Sequence, residues 1–465
     1  MSVHHSPSSA AAPLRRVSTT RRRTAAAVAV LSATSLLAAA CGSDDNDASK
    51  AAAGTSAGSS SAASAEPVTL NVGLFGTFGF KEAGLYDKYM QQHPNVTIVE
   101  HSVEQSADYY KALQTHLAAD SGLDDVQGIE IGFVADVVKN HANQFADFGK
   151  RSDAAQVKGT FYPWKYEEAT TSDGKVVGLG TDAGPQAMCY RKDLFQKAGL
   201  PTDRNELGKA WSSWDGFIAL GKQYEASATK QQGSKFLDSA ASIFSSAVYQ
   251  GQFAYDDAKG NPIPESSDGV KSAWGYASTA ASSKITAGLT QFGTQWNSAF
   301  ANGAFATIAC PSWMLSYISS QAGPAVSGKW DVAPLPGQAS NWGGSWLGVP
   351  SAGKHQQAAM DLVTWLTAPA QQVTMFTSQQ HFPSSSAAAA DPQVASATSD
   401  YFSGAPIGQL FGDSASKLHR TPIGPYDTQI QQAFTTALSN VENKGASPSS
   451  ALSDAVKNAK EAVGG

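Results

Sequence analysis

The sequence predicts an α/β fold divided into two domains. Segments with apolar residues at alternate positions interleave with segments whose apolar residues recur three and four apart, the pattern of strands layered against helices. From Pro67 to the C-terminus runs a stretch of about 400 residues with the composition of a folded chain. That is too long for one simple core, so two are expected. No short internal repeat offers a solenoid instead.

Each element rests on its own pattern. "VTLNVGLF" from Val68 and "NVTIVEHSV" from Asn95 alternate as strands, and "GLYDKYMQQHP" between them reads as a helix ended by Pro94. Ser106 is placed to cap a helix carrying Tyr110, Leu113 and Leu117. "DDVQGIEI", "KVVGLGTD", "QAMCYRK" and "FATIAC" read as further strands. Ala359, Leu362, Val363 and Leu366 form one face of a helix across "HQQAAMDLVTWLT". Asp427 is placed to cap another, with Ile430, Phe434, Leu438 and Val441 on its apolar side.

Ahead of the folded part lies a leader. Arg15, Arg16, Arg21, Arg22 and Arg23 are followed by an apolar or small run from Ala25 to Ala40, with no acid before residue 41. Sixteen residues at 1.5 Å each would span about 24 Å, short of a bilayer core. Basic region, short apolar region and small residues read as an export signal over residues 1–40, with a weak membrane anchor as the alternative. The run ends in Cys41 after Ala38, Ala39 and Ala40, which resembles a bacterial lipobox, although its usual leucine stands one residue early at Leu37. Lipidation of Cys41 would supply more than the two chains that stable membrane attachment needs; a secreted protein with a stray cysteine is the alternative. Residues 41–66 hold no aromatic or branched aliphatic side chain and read as a flexible tether.

Loss of the leader takes the formal charge from −6 to −11, so the basic footprint of a nucleic-acid binder is missing. Two cysteines remain, Cys189 and Cys310, an even pair that outside the cytoplasm is a candidate disulfide or else two buried thiols.

Motifs for chemistry fail on specific positions. "GVPSAGK" has P-loop spacing but is followed by His355 where a Ser or Thr would bind magnesium. "GLGTDAG" carries Ala183 at the third glycine of a dinucleotide fingerprint. "GGSWL" lacks the closing glycine of a nucleophile elbow. No His or Cys spacing suits a metal, and no cofactor is expected. The carboxylate pairs Asp44/Asp45, Asp124/Asp125, Glu167/Glu168 and Asp256/Asp257 sit in polar or glycine-flanked contexts and read as solvated surface. A glycosidase stays open, because carboxylate separation in space is not a sequence property.

The aromatic pattern is more informative. All ten tryptophans lie between Trp164 and Trp365. Trp164, Trp296, Trp313, Trp342 and Trp346 stand beside Gly, Pro, Asn or Ser, where the ring more often lines a cleft than a core. Trp211, Trp214 and Trp365 read as core or lobe-interface packing.

"TDAGPQAMCYRKDLFQKAGLPTDRNEL" followed by "SSWDGFIALGKQYE" resembles the strand-to-helix segment of the carbohydrate-binding proteins of ABC importers. These are family 1 extracellular solute-binding lipoproteins, akin to maltose- and cellobiose-binding proteins. "NSAFANGAFATIACPSWMLSYIS", "WDVAPLPG" and "WGGSWLGVPSAGKHQQAAMDLVTWLTAPAQQ" resemble their later motifs in the same order, so the likeness spans nearly everything from Val68. The resemblance implies the two-lobed type II fold of periplasmic binding proteins, with a sugar cleft between the lobes and hinge closure over the ligand. It implies crossovers near Asp182 to Pro185 and near Trp342 to Gly344. An N-terminal lobe of residues 67–182 plus about 345–390 then faces a C-terminal lobe of residues 183–344 plus about 391–465. Cys189 and Cys310 fall on neighbouring strands of one lobe, which favours the disulfide.

Carried over by position, the resemblance implies first-lobe contacts from Thr77, Phe78, Tyr109 and Glu130. It implies a crossover carboxylate at Asp182, second-lobe contacts from Asp238, Trp296, Asn297, Trp313, Trp342 and Gly343, and a late aromatic at Tyr426. Cys310-Pro311 departs from the glycine the family often has before Ser-Trp. The function implied is capture of a sugar, an oligosaccharide, and delivery to a membrane permease without chemistry. The protein would be a monomer, lipid-anchored on the outer face of the bacterial cytoplasmic membrane. A receptor for a non-sugar solute and a secreted glycoside hydrolase are the alternatives.

Overall fold

The computed structural model describes residues 66–464. Cys41, the export signal and nearly all of the tether lie outside the described residues. Nine strands form two sheets: β1 (Val68–Phe75), β2 (Val96–Val103), β3 (Val126–Glu130), β4 (Gly178–Gly180), β5 (Gln186–Arg191), β6 (Lys235–Leu237), β7 (Phe305–Pro311), β8 (Trp330–Ala333) and β9 (Ser345–Gly348). The first sheet runs β2-β1-β3-β9-β4 and the second β6-β7-β5-β8. β1 pairs in parallel with β2 and β3, while β9 arrives from far along the chain and runs antiparallel to β3 and β4.

The strand patterns explain the layers. Leu70, Val72 and Leu74 of β1 are fully buried, as is every residue of β5 and β7 in the middle of the second sheet. Strands covered by helices on both faces lose their alternation and become continuous apolar runs. A disulfide joins Cys189 of β5 to Cys310 of β7, with Cα atoms 5.8 Å apart. A cross-link of this kind contributes about 2–4 kcal/mol.

Two helix starts differ from expectation. Helix Ser106–Ala119 accepts its first bond at the Gln105 carbonyl, from Tyr109 N, so Gln105 is the cap and Ser106 is already helical. In helix Asp427–Lys444 the cap is Tyr426, and Asp427 is a buried first-turn residue rather than a cap. The apolar faces are as read: Tyr110, Leu113 and Leu117 in one, Ile430, Phe434, Leu438 and Val441 in the other, are buried.

The chain passes between the sheets along paired segments. Residues 181–185 leave the first sheet beside residues 340–345, which return to it. Thr181 N donates to Ser345 O (2.9 Å), Trp342 N to Gly184 O (2.8 Å) and Gln186 N to Ser340 O (3.0 Å). Asp182 Oδ1 accepts from Ser345 N at 2.9 Å and fastens the two segments together. A third pass follows helix Pro369–Gln379: Ala183 N donates to Phe382 O, and Ser384 Oγ to Gly180 O. The approach is so close that a Cβ on Gly184 would stand 2.0 Å from the Trp342 carbonyl oxygen. Among the described residues no helix is long and apolar enough to cross a membrane.

Candidate functional site

A cavity of about 560 Å³ opens between the two sheets, beside the crossovers. From the first lobe it receives Glu130 at the end of β3, and Trp164 and Glu168 from helix Pro163–Glu168. Pro163 occupies the first turn of that helix, where its missing N–H costs nothing, and the i, i+4 spacing puts Trp164 and Glu168 on one face. Asn341, Trp342 and Gly343 form the crossover wall.

The second lobe supplies Ser239, Tyr249, Gln291 and one long helical face. Asp427, Thr428, Gln431, Gln432, Thr435, Thr436, Ser439 and Asn440 of helix Asp427–Lys444 all line the cavity. Asp427 is buried in line with the apolar stripe, and the others flank that stripe on the cavity side. A helix face of Thr, Gln, Ser and Asn with almost no charge is unusual for a solvated surface, and that was the available signal for this wall.

Several polar atoms on the lining are buried without a partner: Trp164 Nε1, Glu168 Oε2, Ser239 Oγ and both carboxyl oxygens of Asp427. Burial of such groups is costly unless something bonds them, so they mark where a hydroxyl-bearing ligand gains most.

Charge is concentrated here. Burial pushes the Glu168 carboxyl up to about 7, against the pull of Lys165 and Arg420. Burial likewise raises Glu130 to about 7, opposed by the Gly132 N–H that it accepts at 3.0 Å and by Lys165. Lys165 is fully buried 3.1 Å over the Trp346 ring centre, and burial lowers its ammonium to about 8 although Glu168, Asp182 and Glu130 all favour the charged form. Asp427 is held well above the usual carboxylate range by burial and by Asp256. Burial and the neighbouring Asp256 carboxyl both favour the neutral form of Asp427, which can donate as well as accept.

Of the expected contact residues, Glu130, Trp342 and Gly343 line the cavity. The others lie elsewhere. Trp296 is a correction: it is fully buried on helix Thr294–Asn302, in an apolar stripe with Ala299 and Phe300, and its Nε1 donates to Asp238 Oδ2 at 2.9 Å. Asp238 is fully buried and also accepts from Ser242 Oγ at 2.6 Å, so it organises the lobe rather than facing the cavity. Tyr109 is buried, its hydroxyl 2.9 Å from Gly73 O and 2.5 Å from Gln127 Oε1. Phe78 packs edge-on against Phe75, and Thr77 beside it is exposed. Asn297 Oδ1 accepts from the Tyr317 hydroxyl, Tyr426 is exposed one residue before Asp427, and Asp182 is engaged in the crossover. Trp313 is half-buried against Trp342 and donates to its carbonyl at 3.1 Å.

Two further expectations change. Trp346 lies in the first-lobe core, under Lys165, rather than in the cleft. Trp365 packs against the first-lobe core as read, edge-on to the buried Tyr89. Glu168 and Asp256 are buried, whereas their neighbours Glu167 and Asp257 point outward, because each pair straddles the boundary between an inner and an outer face. Polarity of local context did not reveal which member turns inward.

The profile of the family described as bacterial extracellular solute-binding protein matches residues 84–399. The lactose-binding protein of Rhizobium radiobacter is 25% identical over 376 residues, covering 76% of this chain and 83% of that protein. A solved extracellular solute-binding protein of family 1 superposes with a TM-score of 0.76 at 36% identity, over 85% of this chain and 100% of the other. The ABC transporter associated binding protein of B. animalis subsp. lactis Bl-04, solved with β-1,6-galactobiose, shares the fold with a TM-score of 0.72 at 20% identity, over 86% and 97% of the two chains.

Proposed function

The chain belongs to the family of bacterial extracellular solute-binding proteins, and on that premise we propose that it captures a sugar, an oligosaccharide, for an ABC importer and passes it to the membrane permease. The observation that carries this reading is the lining of the cavity. Trp342 and Trp164 share the lining with the unpartnered Glu168 Oε2 and the Asp427 carboxyl. Sugars present apolar C–H faces and hydroxyl edges; indole covers the first and carboxylates bond the second. Carboxylates outnumber cations on the lining, which disfavours acidic or phosphorylated sugars. Unpaired polar groups also give discrimination, since a ligand lacking the matching hydroxyl leaves them unpaired. Relatives named for lactose and arabino-oligosaccharides point to the same ligand class.

The reading has the protein bind without turnover, and release of reducing ends from a bound oligosaccharide would replace it with a glycosidase. A thermal-shift screen against mono- and oligosaccharides tests it: a ligand at a hundredfold excess over its dissociation constant stabilises the fold by about 2.7 kcal/mol.

We read the protein as a monomer held at the membrane through lipidated Cys41. Cys41→Ser is expected to shift it from the membrane fraction to the medium; an unchanged membrane fraction contradicts the anchor.

A further inference from the structure

The cavity has an aromatic continuation at its mouth. Gln291 lines the cavity, and the next residue, Phe292, turns out of it. At 45% exposure Phe292 is the most exposed large hydrophobic side chain among the described residues. Its backbone is also in the left-handed region, φ +62°, in a turn closed by Gly293 N donating to Thr290 O at 3.1 Å. That is a glycine or asparagine position; a bulky side chain there is disfavoured both by the backbone and by its exposure. The turn itself does not ask for phenylalanine at this point, and such unfavoured conformations concentrate at ligand sites.

The ring does not stand alone. Its centroid is 6.5 Å from Trp313, with the planes within 17°, and 6.4 Å from Trp342. Trp313 and Trp342 are 5.7 Å apart, and Tyr317 and the buried Trp296 brace the cluster from below. Trp342 belongs to the cavity wall, so the apolar surface runs without a break from inside the cavity to the exposed Phe292 face.

Resting on the sugar reading above, we infer that Phe292 is the outer end of a shelf that takes a further sugar ring beyond the cavity. The ligand is then an oligosaccharide whose distal ring lies against Phe292. Phe292 sets chain-length preference; the cavity sets recognition of the first rings. An aromatic face adds a factor of about three to ten in affinity beyond simple burial.

The test measures dissociation constants by calorimetry for malto-, galacto- and arabino-oligosaccharides of two to five residues, on wild type, Phe292→Ala and Phe292→Tyr. Expected is a gain in affinity beyond the disaccharide in whichever series binds. Phe292→Ala should lose that gain by about three- to tenfold while keeping disaccharide affinity, and Phe292→Tyr should restore it. A purely structural role would weaken short and long ligands alike. If disaccharides bind and longer members gain nothing, or keep their gain in Phe292→Ala, the shelf is refuted while the sugar reading stands. If no member of any series binds, the sugar reading fails and the shelf with it.

Discussion

Glu168 offers a prediction whose size follows from its surroundings. It is 8% exposed, its Oε2 has no partner, and burial raises its carboxyl from 4.5 to about 7. A raised carboxyl means that the fold prefers the protonated form. The associated stability is fully present below the unfolded value near 4.5 and is lost as pH rises through about 7. At 1.36 kcal/mol per unit, the loss across that window is about 3 kcal/mol. With an unfolding entropy of about 2.1 cal/mol/K per residue, it corresponds to about 4 °C in Tm for a chain of this size. Glu168→Gln keeps the shape and removes the titration. The groups facing Glu168 are Lys165 and Arg420. Glu130 titrates in the same range in both proteins and cancels in the difference. Loss of Glu168's pull on Lys165 works the other way, so 4 °C is the upper figure. The assay is calorimetric melting of unliganded wild type and variant from pH 4.5 to 8 at fixed ionic strength. The variant's Tm relative to wild type should climb steadily with pH. A flat difference would refute the buried, unpartnered placement of Glu168.

Two other outcomes follow from the same wall and its hinge. Asp427→Asn removes a carboxyl whose charged form burial and Asp256 disfavour, so the melting temperature should hold or rise while sugar affinity falls by about two- to tenfold, as for loss of a neutral hydrogen bond; equal affinity by calorimetry would remove Asp427 from the site. Gly184→Ala places a Cβ 2.0 Å from the Trp342 carbonyl oxygen, backbone against backbone, so the crossovers must separate; a variant with wild-type melting and wild-type sugar affinity would contradict their pairing.

What could be read beforehand was whatever periodicity controls. The strands of both sheets, the apolar stripe of helix Asp427–Lys444 and the buried Trp211 and Trp214 are properties of local pattern. Neighbour composition misled at Trp296, where the adjacent asparagine suggested a cleft but the i, i+3, i+4 stripe with Ala299 and Phe300 belonged to the core. Glu168 and Asp427 were missed for a different reason. Each acquires its role from tertiary placement, one on a single-turn helix that rotates it inward, the other at a helix start pressed against Asp256. The neutral polar face of Asp427–Lys444 was visible in the sequence, yet it gains meaning only once the opposite lobe is seen across the cavity.

The central claim is that the cavity beside the crossovers holds a sugar against Trp342, and titration calorimetry on wild type and Trp342→Ala tests it most directly. With an oligosaccharide found in the thermal-shift screen, wild type should bind one molecule per chain. Trp342→Ala should bind it about tenfold or more weakly, because the indole forms the contact face of the crossover wall. Wild-type affinity in a folded Trp342→Ala protein would contradict the account.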